Sequence, residues 1–128
     1  MNKEPQMEKE MVKVEHDLLT ERLTKVYREK ETSFNAPHLF KVVSAEDESQ
    51  VLGVVHFQEG AIKEHGINGV MNEDLIHMAI ERLQCFQASE FACRENAMAI
   101  TKLEEAILWL RKRTMGRDKR GVLGTHQK

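Results

Sequence analysis

Phe91–Arg120, FACRENAMAITKLEEAILWLRKRTMGRDKR, decides how the rest of this chain is read. Cys93, Asn96, Ile100, Leu103, Ile107, Leu110 and Thr114 recur at alternating steps of three and four. That spacing predicts a helix packed along one narrow seam against another helix. Ala92, Ala99 and Ala106 flank the seam and allow close approach of a partner backbone. Ser89 is a suitable cap, and Glu90 suits the positive end of the helix dipole. Gly121 is the expected stop. Two features exceed what a structural helix requires. Asn96 holds a seam position where an apolar residue would stabilise more. Arg113, Arg117 and Arg120 share a face at i, i+4, i+7. One reading is a register-setting Asn and a solvated basic end that complements the helix dipole. The other is an anion site with an amide that reads a base or ribose.

The element preceding this stretch is also helical in pattern. Leu75, Ile76, Met78, Ala79, Leu83 and Phe86 predict a helix over 73–87, with Asn72 as N-cap and Glu73 and Asp74 in its first turn. A short link at Ala88–Ser89 makes residues 73–120 an antiparallel helical hairpin. Upstream, Gln58–Met71 is punctuated by Gly60, Gly66 and Gly69, and Asn68-Gly69 is a turn signal. Such a long connector is often functional. Leu39–Ser44 and Val51–Phe57 are β-branched runs around an acidic link, which predicts an antiparallel β ribbon. Ser33–Pro37 breaks what comes before it. Met7, Met11, Val14, Leu18, Leu19, Leu23 and Val26 predict an amphipathic helix over 7–30.

The fold class is therefore α+β. Residues 1–35 carry the N-terminal helix, 36–72 the β ribbon and glycine-rich loop, and 73–128 the hairpin with its basic tail. A chain of 128 residues with 41% hydrophobic and only 5% aromatic content builds a small core. Homo-oligomerisation is expected to complete it. Net charge is −2, but residues 111–128 carry seven Lys/Arg against the single acid Asp118. Cys85 and Cys93 have no zinc-like spacing and sit beside apolar residues. They are expected to be reduced and buried. No apolar run is long enough for a membrane span.

Catalytic patterns are missing. The six His are scattered, with His56, His65 and His77 on different elements. The adjacent pair Glu104-Glu105 points to different helix faces, and no phosphate-cradling loop is present. No enzyme activity, cofactor or metal is expected. Binding chemistry fits better. Arg113 and Arg117 offer planar forks for phosphate oxygens. Arg94 lies in the first turn of the long helix, where anions are favoured. Phe86 is either a core residue or a platform for a base. Lys112 falls on a different helical face from the arginine pair.

Three runs carry a family resemblance: Phe57–Leu75 (FQEGAIKEHGINGVMNEDL), Arg82–Thr114 (RLQCFQASEFACRENAMAITKLEEAILWLRKRT) and Arg120–Thr125 (RGVLGT). They resemble the phage Thoeris anti-defence and anti-CBASS sponge proteins, which share a helical hairpin domain. The similarity is closest to the Thoeris anti-defence branch. It implies sequestration, without turnover, of cyclic nucleotide immune signals: cyclic ADP-ribose isomers, with cyclic di- and trinucleotides as further ligands. It implies a homo-oligomer, favouring a hexamer, with pockets between subunits, acting in the cytoplasm of the infected host. By motif position it assigns base stacking to Phe86, a polar contact to Asn96 and pyrophosphate binding to Arg113 and Arg117. Arg94 is assigned to a second, cyclic-oligonucleotide site. Ala61 stands where the family loop has Pro, and Leu123 where it has an acid. The alternative function is an oligomeric phage protein that binds single-stranded nucleic acid through its basic tail. A third is an enzyme that destroys the signal.

Overall fold

A computed structural model of the chain describes residues 9–128. They form two units: residues up to Gly60 with Ile67–Gly69, and Ala61–Gly66 with Val70–Lys128.

The first unit is a four-stranded antiparallel sheet of strands β1 (Met11–Lys13), β2 (Thr24–Glu29), β3 (Leu39–Ser44) and β4 (Val51–His56), in sequential order. The expected ribbon is the β3–β4 pair, with the expected bounds to within a residue. The expected N-terminal helix is not there. Met7 lies outside the described residues, and residues 11–30 are two strands and a connecting loop. The helical reading placed Leu18 and Leu23 on a buried face, yet they are 93% and 83% exposed. Cross-strand pairing overrode local periodicity. Val26 of β2 stands opposite Val42 of β3, and Val12 of β1 opposite Arg28. β-branched side chains fit such a pleated surface better than a helix. Glu21, with φ of 58°, marks the turn that periodicity hid. These extra strands supply what an isolated ribbon lacks.

The sheet's buried side chains are Leu39 and Val43 of β3, with His38 and Glu29 beside them. Between Val42 and Val43 the pairing slips, so that Gly53 and Val51 are the successive partners on β4. Phe40 meets Phe57 edge to face at 5.4 Å. On β2, Lys25 and the Tyr27 hydroxyl both donate to Glu48 of the β3–β4 loop, at 2.8 and 2.5 Å. The glycine-rich loop returns to this unit at Ile67–Gly69. The Asn68 side chain accepts from Glu59 N and donates to Glu59 O, both at 2.8 Å, and so replaces a strand ladder. Gly69 is needed for contact rather than for a turn. A Cβ there would lie 2.5 Å from the Phe57 carbonyl carbon.

Glu29 is a charged group inside this core, 4% exposed. Its carboxylate accepts from His38 N at 2.6 Å, Leu39 N at 3.1 Å and Lys9 Nζ at 3.1 Å. Burial by itself would raise its pKa. The His38 N–H, the Lys9 ammonium and the Leu39 N–H outweigh that and hold the carboxyl below the ordinary glutamate value. It also fixes where β3 begins, because both amide donors lie at that strand's start.

The second unit contains α1 (Ile62–His65), α2 (Asn72–Gln87) and α3 (Arg94–Lys119). α2 and α3 form the expected hairpin, with two corrections at the ends. Asn72 is inside α2; Met71 precedes the helix, and its N–H is accepted by the Asp74 carboxylate at 2.8 Å. A carboxylate three residues into the helix reaches back and does what a capping side chain would do. α3 starts at Arg94 rather than near Ser89. Ser89 Oγ instead donates to Phe86 O at 2.6 Å and accepts from Phe91 N at 3.1 Å, closing the turn. The Gln87 side chain accepts from Cys93 N and donates to Cys93 O, at 2.8 and 2.9 Å. α3 ends before Gly121, which has φ of 73°, as expected of a left-handed stop. Cys85 and Cys93 are free thiols, but both are exposed in the chain rather than buried. Cys85 falls beside the α2 stripe rather than on it, and Cys93 precedes the first turn of α3.

Because the Glu29 pKa is lowered on folding, its contribution is present above the ordinary carboxylate pKa and is lost as pH falls through the folded value. Glu29→Gln is expected to lower unfolding stability at neutral pH by about 1.5–3 kcal/mol, the worth of hydrogen bonds to a charged group. The deficit should shrink as pH falls below the carboxylate range. Urea unfolding of both proteins between neutral and acid pH measures this; a pH-independent difference would contradict it.

Candidate ligand site

The seam of α3 is as the spacing predicted. Asn96, Ile100, Leu103, Ile107, Leu110 and Thr114 are half-buried, while most of their neighbours are exposed. Only Cys93 drops out. On α2 the matching stripe is Ile76, Ile80, Leu83 and Gln87, of which Ile80 is buried. This stripe is narrower than the apolar set of α2. Met78 and Phe86 stay off it, 61% and 38% exposed.

The length mismatch shapes the unit. α2 has 16 residues and α3 has 26. The last turns of α3 therefore run past α2 by roughly 15 Å at 1.5 Å per residue. Arg113 and Arg117 sit on that overhang, one helical turn apart on one side. With Trp109, Lys112, Gly116 and Arg120 they line an open groove. Trp109 is 69% exposed, and the Lys112 ammonium lies 5.1 Å from its ring centroid. Lys112 thus belongs to the same groove as the arginines. A long flexible stem folded over the indole brings the ammonium round the helix.

The tail folds back onto this end. Arg117 Nη2 donates to Val122 O and to Thr125 O, both at 3.0 Å, and Arg120 Nη1 donates to Lys128 O at 2.6 Å. Gly121 and Gly124 have positive φ, which permits the reversal. Spacing left Arg117 open between a solvated basic face and an anion fork, and the resemblance implied pyrophosphate binding for it. It is also a clamp on the tail, a role readable only once Val122–Thr125 is known to turn back. Its Nε and Nη1 have no acceptor among the described residues. Arg113 makes no side-chain hydrogen bond or ion pair among them.

Phe86 and Asn96 are at the other end of the hairpin. Phe86 is in the last turn of α2 and Asn96 in the first turn of α3. The Arg82 guanidinium lies 5.2 Å from the Phe86 ring centroid. Arg94, the first residue of α3, is exposed. From Asn96 to Arg113 is 17 residues of continuous helix, about 25 Å. One chain therefore does not bring the four residues implied for the ligand into one pocket. It keeps them apart: an aromatic and amide pair at the hairpin turn, and a basic groove at the overhang. The long exposed side of α3 joins them, with Leu108 65% and Met115 63% exposed. No helix among the described residues is long and apolar enough to cross a membrane.

Comparison with known proteins identifies the family. The family model described as Acb2/Tad1, hairpin domain, matches residues 52–115. That span takes in all but the first residue of β4, the glycine-rich loop, α2 and most of α3. The chain is also 51% identical to Thoeris anti-defense 1 of Bacillus phage SBSphiJ7 over 142 aligned positions, covering 92% of this chain and all of that protein. An identity at this level leaves no room for a chance match of helical pattern, and the matched span holds the half-buried seam described above: this chain is a member of the Acb2/Tad1 hairpin-domain family.

Proposed function

We propose that this chain is a phage anti-defence sponge that binds cyclic ADP-ribose isomers, and related cyclic nucleotides, without degrading them. It acts in the cytoplasm of the infected host and denies the signal to the Thoeris or CBASS effector. The observation that carries the reading is the basic groove of the α3 overhang, in a chain that shares half its residues with a protein named for Thoeris anti-defence. A pyrophosphate needs converging cations with planar donor pairs, and Arg113 with Arg117 supplies them on one helix face. An exposed Phe86 offers a base the stacking surface, and half-buried Asn96 an amide with both donor and acceptor. Arg94 is the candidate for a second, cyclic-oligonucleotide site.

In this reading the hairpin-turn pair and the basic groove are half-sites that meet across subunits. The ligand's base rests on Phe86 and Asn96 of one protomer while its phosphates meet Arg113 and Arg117 of another. Leu108, Trp109 and Met115 along α3 are too much exposed apolar surface for a chain that remains alone. A homo-oligomer follows, with the hexamer favoured. Sequestration then needs no catalytic group: affinity alone removes the signal.

Arg113→Ala should weaken binding of a cyclic ADP-ribose isomer by roughly ten- to a hundredfold, since a charge-assisted bond contributes about 1.5–3 kcal/mol. Its melting temperature should not move. Arg117→Ala should weaken binding at least as much and also lower the melting temperature, because the tail loses the guanidinium that bridges its Val122 and Thr125 carbonyls. Arg111→Ala, with the same charge but outside the groove, is the control. Calorimetry on the four proteins decides; an Arg113→Ala protein that binds like the control would put the site elsewhere. Ligand recovered intact by mass spectrometry after denaturing the complex separates sequestration from turnover. Binding of single-stranded DNA that falls steeply with salt would favour the nucleic-acid reading instead.

Light scattering at micromolar concentration should give a mass several times the 14.8 kDa of one chain. A monomeric mass would remove the subunit pairing on which the composite pocket depends.

A further inference from the structure

We propose that Glu64, His65 and His126 form a binding site for a divalent transition-metal ion, zinc being the best fit, which fastens the C-terminal tail to α1. The three side chains come from two segments far apart in sequence, α1 and the C-terminal tail. Each offers one ligand atom, and the three atoms lie within 4.8 Å of one another. His126 Nε2 already pairs with a Glu64 carboxylate oxygen, and the His65 and His126 rings meet edge to face at 6.1 Å.

The convergence is built by the backbone. Lys63 N donates to Gly124 O at 3.0 Å, which docks the tail on α1 just before His126. Arg117 holds the Val122 and Thr125 carbonyls, and Thr125 Oγ1 donates to Val122 O at 2.6 Å. His126 is therefore presented from a turned segment fixed at both Val122 and Thr125. At α1 the chain reverses at Gly66, with φ of 71°, directly after the two other donors.

Two imidazoles are borderline donors and the carboxylate is a harder one, a combination that zinc accepts. They suit zinc and its first-row neighbours, and they suit magnesium or calcium poorly. Zinc bonds of about 2.0–2.2 Å need donor atoms somewhat closer together than 4.8 Å. The His126 and Glu64 side chains are 47% and 59% exposed, so rotamer changes can close that gap without moving the backbone. A fourth position would face water. The site goes beyond the nucleotide-binding reading and stands whether or not that reading does. Its effect on the molecule would be to hold the tail that Arg117 grips from the other side.

The test uses the full chain with Cys85→Ala and Cys93→Ala, so that exposed thiols do not compete for the metal. After chelator treatment, zinc is titrated against a chromophoric competitor. The expected result is one zinc per chain in the micromolar range or tighter, unaffected by excess magnesium. Glu64→Gln and His126→Ala, each in that background, should bind at least about tenfold more weakly. Amide exchange at Val122–Gln127 should slow with zinc in the parent and not in the His126→Ala protein. Zinc affinity unchanged by both substitutions, or no saturable binding in the micromolar range, would overturn the proposal.

Discussion

The constraint from which the helical unit follows is that α3 packs on one stripe only. Its seam residues reach half-burial and no further, because α2 meets them from a single side and stops ten residues short. A helix of 26 residues held this way keeps most of its circumference in solvent. Burial of apolar area is the main source of stability, at about 25 cal/mol per Å². A helix so poorly covered must recruit further contacts or stay marginal. The chain recruits two. The tail, gripped by Arg117 and Arg120, returns over the overhang, and α1 receives that tail at Gly124. Even so, Leu108, Trp109 and Met115 stay well exposed.

The sheet unit solves a different problem. Its core is only a few side chains, and a glutamate lies within it. Removing a carboxylate from water costs several kcal/mol unless its lone pairs are filled. Glu29 meets two backbone N–H groups and an ammonium. The result is a charge that specifies rather than merely tolerates its place. The two amides it fills belong to His38 and Leu39, where the chain turns into β3. A slip of that strand would take both amides away from the carboxylate.

Much of the hairpin was legible in the residues. The step-of-three-and-four spacing from Asn96 to Thr114 named the buried seam because only one helical face can pack. The arginine face was legible for the same reason, and so were β3 and β4 from their β-branched runs. The N-terminal segment misled. Met11, Val14, Leu18 and Val26 fit a helical period, but periodicity says nothing about a strand partner that arrives from Leu39–Ser44. Asn72 misled as well: its cap-like chemistry is real, but Asp74 outcompeted it by reaching back to Met71. The convergence of His65 and His126, and the clamp by Arg117, depend on the path of the last eight residues. No local pattern encodes a path. The separation of Phe86 and Asn96 from Arg113 and Arg117 was visible as helix length, once the intervening residues were taken as one unbroken rod.

The route of the chain between its two units bears on how the protein can be dissected. The chain leaves the sheet unit after Gly60, lends Ala61–Gly66 to the helical unit, returns for Ile67–Gly69 and leaves again. No single cut separates the two. A fragment beginning at Val70 would lack α1, the shelf on which the tail rests. One ending at Gly60 would lack Asn68 and Gly69, which close against Glu59 and Phe57. The family match from 52 to 115 obeys neither boundary: it opens inside β4 and closes before Arg117. The inherited segment is thus not a folding module that could be transplanted by its own ends. Shuffling it between relatives would require carrying the strand partner and the tail along with it.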